Sequence, residues 1–123
     1  MKTVGDCYED LAANWLQARG LQLVRRNYRC KLGEIDLIAI DDRHLVFVEV
    51  RARRNPRFAS AAASVDWRKQ RRLVRTAQYF LQRHPRWTQL PCRFDVIAIE
   101  PRQSPSDATV QWIRAAFSEA ITN

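Results

Sequence analysis

One stretch of this sequence constrains the fold more than any other, because it joins two apolar runs to a small set of charges. It covers residues 33–53, GEIDLIAIDDRHLVFVEVRAR. Residues 35–40 and 45–50 are rich in Ile, Leu, Val and Phe, and the polar residues DDRH separate them. Two such runs around a short polar turn predict a β-hairpin. Both runs are apolar on both faces, which indicates a sheet that is covered on both sides.

The hairpin carries four ionisable residues whose register predicts a metal site. With the turn centred on the polar residues, Asp36 lies opposite Glu49 and Glu34 lies opposite Arg51. Side chains alternate along a strand, so all four emerge on one face. Directly opposed Cβ atoms are ~4.5–5.5 Å apart, and two facing carboxylates need a proton or a counter-ion. A hard cation that prefers oxygen ligands, such as Mg²⁺, is the natural partner.

The same four residues also fit ordinary cross-strand ion pairs. Glu34 would then bind Arg51, and Asp36 would bind a nearby arginine. Ion pairs of this kind perturb carboxylates as metal sites do. The spacing leaves both interpretations open.

Composition predicts a single domain over residues 1–123, large enough for a core but not for a second domain. A hydrophobic content of 46% with 28% charged residues is typical of a globular protein. No apolar run approaches a membrane span, and acids occur where a secretion signal would be apolar, so we expect a cytoplasmic protein. The three cysteines are widely spaced without a C-x-x-C pair, which argues against a zinc site or a disulfide framework.

Positive charge is concentrated in one segment next to the hairpin. Between Arg51 and Thr88 there are eleven Arg or Lys residues and one acid, Asp66, a balance of +10 within a net charge of +8. A basic segment beside a candidate metal site indicates a polyanionic partner, most simply nucleic acid. A membrane surface is the alternative, but the apolar stripe of this segment is needed for the core.

The segments around the hairpin predict an α/β fold, a mixed central sheet flanked by helices in the order αβββαβ(β)α. Helical spacing over residues 4–16 predicts a first helix, with Gly20 just after its end. A turn or two of helix is predicted over residues 115–121. Further strands are predicted at residues 21–30, 93–100 and 110–113.

A basic helix is predicted to follow the hairpin, after a loop over residues 53–63. Ser64 can cap it, Asp66 lies in its first turn, and Pro85 ends it after His84. Gln70 borders its buried side. Most basic helical faces are only solvated, so phosphate contact is one of two alternatives here. The predicted buried stripe is Leu73, Ala77, Phe80 and Leu81.

Glu9 lies at the border of the apolar stripe of the first helix. An acid near a helix start is usually solvated and favoured by the helix dipole. It could instead overhang the carboxylates of the hairpin, and spacing does not decide between the two.

Several of these runs together resemble the YraN family of bacterial proteins. They are GDCYEDLAANWL, RNYRCKLGEIDLIA, FVEVRAR, VDWRKQRR and RFDV, and the resemblance covers roughly Gly5 to Phe117. The GEIDLIA and FVEV elements are specific. The fold of that family resembles restriction endonucleases and archaeal Holliday-junction resolvases, the PD-(D/E)XK nuclease superfamily. The resemblance therefore implies a restriction-endonuclease-like fold.

The resemblance also implies a site. Asp36 and Glu49 would be the metal-binding carboxylates, and Glu9 the helix-borne acid that completes the site. Gln70 would be the polar helix residue that reaches it. The implied reaction is phosphodiester hydrolysis in DNA with Mg²⁺ or Mn²⁺, in which the metal activates a water and stabilises charge on the phosphate. A homodimer is implied by analogy alone, since resolvase-like proteins act on two strands.

Arg51 departs from the family's pattern, because the E-X-K element falls on residues 49–51 and the lysine is replaced. An arginine can stabilise a charged transition state, but it stays protonated and cannot take a proton from water. If the lysine acts electrostatically, Arg51 is sufficient; if it acts as a base, this protein is slow or inactive unless Lys31 or Lys69 takes over.

The sequence thus favours a metal-dependent nuclease that acts on DNA, including branched or processed DNA, with Asp36, Glu49, Arg51 and Gln70 as catalytic residues. The first alternative is a nucleic-acid-binding module that keeps the fold without turnover. The second is an interaction protein with an acidic partner. The residues expected to contact phosphates are Arg53, Arg54, Arg57, Arg68, Lys69, Arg71, Arg72 and Arg75.

Overall fold

The structure, a computed structural model, describes residues 3–52, 65–100 and 108–117. A five-stranded mixed sheet lies at its centre, in the order β1-β2-β3-β4-β5. Neighbouring strands are antiparallel except β3 and β4, which are parallel because a helix crosses between them. The strands are β1 (Gln22–Cys30), β2 (Gly33–Asp41), β3 (His44–Ala52), β4 (Cys92–Glu100) and β5 (Thr109–Phe117).

One helix packs on each face of the sheet within the described residues. Helix α1 (Val4–Ala18) covers one face, and α2 (Trp67–Arg83) covers the other, followed by a short 3₁₀ turn at Pro85–Trp87. Because a helix covers each face of the sheet, the central strands carry apolar side chains on both faces. The predicted α/β class is confirmed, and the arrangement is compatible with a restriction-endonuclease-like fold. None of the described helices is long and apolar enough to cross a membrane.

The hairpin of β2 and β3 has the predicted register. Asp41 pairs with His44 at the turn, and the pairs continue to Leu37 and Val48. Beyond that point β2 follows β1, whereas β3 follows β4 as far as Ala52. The two strands therefore separate at the two acids that follow the last pair, Asp36 and Glu49.

Gly33, at the start of β2, is required by a close approach between the hairpin and α2. Its φ is +152°, and a Cβ built there would lie 2.9 Å from Thr76 Oγ1 and 3.1 Å from Arg72 Cγ. Thr76 is buried, and its hydroxyl donates to the Arg72 carbonyl oxygen over 2.8 Å. The glycine that opens the GEIDLIA run thus lets β2 lie directly against α2.

Two predictions about element ends were wrong. The second helix begins at Trp67 with Asp66 as its N-cap, whose carboxylate accepts from the Lys69 backbone N–H over 2.9 Å. Asp serves as well as Ser at this position, and Ser64 lies outside the described residues. The chain is also still a strand, not a helix, from residue 115 to Phe117.

Tertiary contacts explain why residues 115–117 are extended. The fully buried carboxylate of Asp95 accepts from the Ala115 backbone N–H over 2.9 Å and from Trp112 Nε1 over 2.8 Å. Phe117 stacks on Phe94 with a ring-centroid distance of 5.0 Å. These contacts outweigh the helix propensity of a short Ala-containing segment. Residues 118–121 of the predicted helix lie outside the described residues.

We expect Gly33→Ala to lower the free energy of unfolding by about 1–3 kcal/mol, because the methyl group overpacks the contact with α2 and φ is strained. Urea titration of the wild type and the variant measures this. Gly20→Ala is the matched control, since Gly20 also has a positive φ of +94° but no atom lies within 4 Å of its built Cβ. Adding Thr76→Ala to Gly33→Ala should recover part of the loss. Equal losses at both glycines would show that strain alone matters.

Candidate functional site

The candidate site lies where β2 and β3 separate. Asp36 is half-buried, and Glu49 is buried with only 6% of its surface exposed. Oδ2 of Asp36 accepts from the Val50 backbone N–H over 2.8 Å, so a side chain satisfies a backbone group of the diverging strand. Where the strands separate, the carboxyl groups of Asp36 and Glu49 lie next to each other.

In β1, Asn27 lies opposite Asp36 and has an unusual backbone conformation, a feature that sequence reasoning missed. Pairs are formed by Tyr28 with Ile35 and by Arg26 with Leu37, on either side of Asn27 and Asp36. Asn27 has a φ of 52°. Asn is one of the few residues that tolerate this conformation, which is the only signal the sequence offered.

Burial and the neighbouring charges raise the pKa of Asp36 from 3.8 to about 8. Burial is the largest cause, and the negative charge of Glu49 is the second. The Val50 N–H opposes the shift, whereas Glu9 adds to it. Asp36 therefore holds a proton at neutral pH while no cation is bound, and it hydrogen bonds with Glu49.

Two cationic side chains converge on Glu49. Nζ of Lys69 lies 3.0 Å from Oε2 of Glu49, and Nε of Arg51 lies 3.5 Å from the same oxygen. The Arg51 Nε–H is buried without a hydrogen-bond partner among the described residues. Lys69 comes from the first turn of α2, which the Asp66 cap holds in place. Helix α2 thus places the amine of Lys69 beside Glu49, where β3 itself provides only the guanidinium of Arg51.

Glu9 approaches the pair from α1. Burial raises its pKa, although a hydrogen bond from the Asn27 side chain lowers it in part. Its Oε1 is buried and has no hydrogen-bond partner among the described residues. Buried polar atoms are nearly always satisfied, so such an oxygen calls for an explanation by a missing partner.

These observations test whether a divalent cation fits the site. Asp36 and Glu49 offer hard oxygen ligands, and a cation would replace the proton that their proximity requires. Oε1 of Glu9 is a further oxygen that can act as a metal ligand. Across residues 3–52, 65–100 and 108–117, however, no three acidic, His or Cys side chains form a group close enough to hold a metal. The residues fit a cation between Asp36 and Glu49, with Glu9 at the margin.

The other charged hairpin residue pairs differently from the cross-strand ion pairs considered above. Glu34 binds Arg29 of β1 over 2.9 Å, and Arg51 contacts Glu49 instead. Asp36 accepts a backbone N–H where an arginine was the alternative. The ion pairs that the spacing suggested are thus not the ones formed in the described hairpin.

The structure places the remaining predicted residues as follows. The Gln70 side-chain amide donates to the Val65 carbonyl oxygen over 2.8 Å, so its catalytic role stays a prediction. Lys31 is exposed and lines a separate cavity with Tyr79 and Arg83, which leaves Lys69 as the lysine at the carboxylates. Arg53, Arg54 and Arg57 lie outside the described residues. The other predicted phosphate contacts on α2, Arg68, Arg71, Arg72 and Arg75, are all exposed.

An open cavity of about 280 Å³ lies beside the carboxylates. Its wall includes Lys69 and Arg72 of α2 and Gly33 and Glu34 of β2. Because Lys69 also touches Glu49, the cavity leads from the surface of α2 towards the acids. A phosphate group could reach the site along this positively charged wall.

The raised pKa of Asp36 predicts a specific pH dependence of stability. Between about pH 4 and pH 8 the folded state binds a proton that the unfolded state has released. The free energy of unfolding of the metal-free protein should therefore fall as pH rises through this window. Asp36→Asn should lack this part of the decline. Urea titrations in EDTA across the window compare the two, and parallel curves would contradict the prediction.

Comparison with known proteins adds relatives to this geometry. The model of the family described as "Uncharacterised protein family UPF0102" matches residues 8–99. A UPF0102 protein of Alcanivorax borkumensis is 50% identical over 116 residues, covering 94% of this chain and 92% of that protein. One from Pseudomonas entomophila is 47% identical over 113 residues, covering 92% and 91%. One from Nitrosococcus oceani is 49% identical over 113 residues, covering 92% and 90%. The resemblance to the YraN family is thereby confirmed.

Proposed function

This chain belongs to the uncharacterised protein family UPF0102, and we propose that it is a metal-dependent nuclease that hydrolyses phosphodiester bonds in DNA. The observation that carries the proposal is the pair of the half-buried Asp36 and the buried Glu49 at the point where the hairpin opens. Such a pair is unfavourable without a proton or a cation, and carboxylates perturbed in this way beside a cleft are candidates for a functional site. Branched or processed DNA is the proposed substrate class.

The residues of this chain would have two roles: some would hold the metal ion, and others would supply positive charge to the phosphates. Asp36 and Glu49 would hold a Mg²⁺ or Mn²⁺ ion, with Glu9 beside them. When bound, such an ion lowers the pKa of water and stabilises charge that develops on the phosphate. Arg51 would steady the scissile phosphate through the positive charge of its guanidinium. The basic residues of α2 would hold the phosphate backbone.

Lys69 gives the site a primary amine, which Arg51 cannot provide. Its Nζ contacts Glu49, so it lies next to one of the proposed metal ligands. We propose that Lys69 takes the role of the lysine that the strand lacks. An electrostatic role and a proton-transfer role are distinguishable, because only the first is also open to arginine.

A second function is favoured by one specific observation. Lys69 and Arg51 both lie against Glu49, so the site has cations of its own before any metal binds. A module that binds nucleic acid without cleaving it would keep this arrangement. Binding that survives EDTA and Asp36→Asn, without cleavage in Mg²⁺ or Mn²⁺, would support it.

Metal binding is the first prediction of the nuclease proposal. Calorimetric titration of Mn²⁺ should show binding to the wild type and at least a tenfold weaker association for Asp36→Asn and Glu49→Gln, since each removes an oxygen ligand's charge. Glu34→Gln is the matched control, because Glu34 is an acid of the same hairpin that is exposed and paired with Arg29. Equal binding by all four proteins would contradict the assigned ligands. A titration with a DNA duplex present tests whether the site forms only on nucleic acid.

Substitution of Lys69 tests the division of roles with Arg51. We expect Lys69→Gln to lower the rate of cleavage of four-way and flapped DNA about 100-fold or more, the range of a lost acid–base group. Lys69→Arg should restore the rate if the amine acts only through its charge, and should not if it transfers a proton. Arg51→Lys is the companion variant, and its activity should equal or exceed that of the wild type. Full activity of Lys69→Gln would contradict the proposed role.

A further inference from the structure

The solvent-facing side of α2 combines a large aromatic ring with a group of arginines. Trp67, the first residue of the helix, is 58% exposed, whereas the chain's other three tryptophans, all described, are half-buried. Leu32, between β1 and β2, is 39% exposed. Together with four arginines of α2 they line an open pocket of about 320 Å³. The arginines are Arg68, Arg71, Arg72 and Arg75.

The indole of Trp67 remains available to a ligand. The guanidinium carbons of Arg68 and Arg71 both lie 5.6 Å from the centre of its ring, near the outer limit of a cation–π contact. Two of the other tryptophan rings have guanidiniums in close contact, at 3.4 and 3.9 Å. An exposed apolar ring is costly to keep in water, so Trp67 and Leu32 together indicate a surface that a partner covers.

The chemistry of the pocket identifies the partner. A partner that needed only the positive charge would make no use of an exposed indole. In a DNA duplex the bases are stacked inside, so a duplex offers phosphates to the arginines but no free base to the ring. An unpaired nucleotide offers both, and a base stacked on an aromatic ring beside cations is how single strands are commonly bound. The nearby acid, Asp66, is engaged as the helix cap.

We propose that the pocket of Trp67 and Leu32 binds an unpaired nucleotide of a single-stranded segment. The base stacks on the Trp67 indole, and the arginines contact the flanking phosphates. Because Arg72 lines both this pocket and the cavity beside the carboxylates, a bound strand can continue over Arg72 towards Lys69 and Glu49. This step deepens the proposed nuclease and names its substrate as DNA with a single-stranded part. The proposed binding of a nucleotide in the pocket does not depend on cleavage activity.

Fluorescence anisotropy in EDTA tests binding separately from catalysis, with a short dT oligomer and a duplex of equal length. Trp67→Ala should weaken binding of the oligomer about 5- to 100-fold, the range for loss of one stacked base, and binding of the duplex less than about 2-fold. Trp67→Phe, which keeps a stacking ring, should recover most of the loss. Arg71→Ala should weaken both ligands and reduce the salt dependence.

The control for lost positive charge is Arg83→Ala, because Arg83 is exposed at the other end of α2 and bonds to the Tyr79 hydroxyl. It should leave the preference for the oligomer unchanged. Equal weakening of both ligands by Trp67→Ala, or no weakening, would overturn the proposal. Trp67-dependent binding to anionic lipid vesicles, without binding to the oligomer, would also overturn it in favour of a membrane surface. Failure of cleavage with this binding pattern intact would instead refute the nuclease alone.

Discussion

The contact between Asp36 and Glu49 is the interaction on which the rest of this arrangement depends. Two carboxyl groups on diverging strands are unfavourable unless their surroundings compensate. β3 donates the Val50 N–H and α2 supplies Lys69, and both oppose the repulsion, whereas α1 adds to it with a third acid, Glu9. The site is therefore assembled by the packing of both helices on the sheet. The close approach at Gly33 holds one of these helices in place.

A comparison of two strand acids shows two different states of hydrogen-bond satisfaction. Both Asp36 and Asp95 accept a backbone N–H of a neighbouring strand, Asp95 next to a register shift of the β4–β5 ladder and Asp36 just beyond the last pair of the β2–β3 ladder. Asp95 is fully satisfied, since Arg93 and Trp112 also donate to its carboxylate. Asp36 instead lies against Glu49, and Oε1 of the nearby Glu9 has no hydrogen-bond partner among the described residues. Asp95 thereby anchors the edge strand, whereas the proposed cation would complete the surroundings of Asp36.

The side chains of helix α2 face three different environments. Its apolar residues, such as Phe80, fill the core, while Lys69 lies against Glu49 and the arginines face solvent with Trp67. Arg72 lies at the border between the two basic surfaces and lines both cavities. The division follows from helical geometry, because residues two apart project to nearly opposite sides. In the proposed complex, a nucleic-acid strand held by the exposed side would be directed to the acids.

The sequence by itself determined the hairpin, its register, the α/β class and the pairing of Asp36 with Glu49. Two apolar runs around a short polar turn are local signals, and the position of the turn fixes which residues face one another. Only the tertiary structure decided that Lys69, and not Lys31, lies at the site, and that the strands separate at Asp36. It also decided that residues 115–117 remain extended. These outcomes depend on contacts between segments far apart in sequence, for which local periodicity carries no signal.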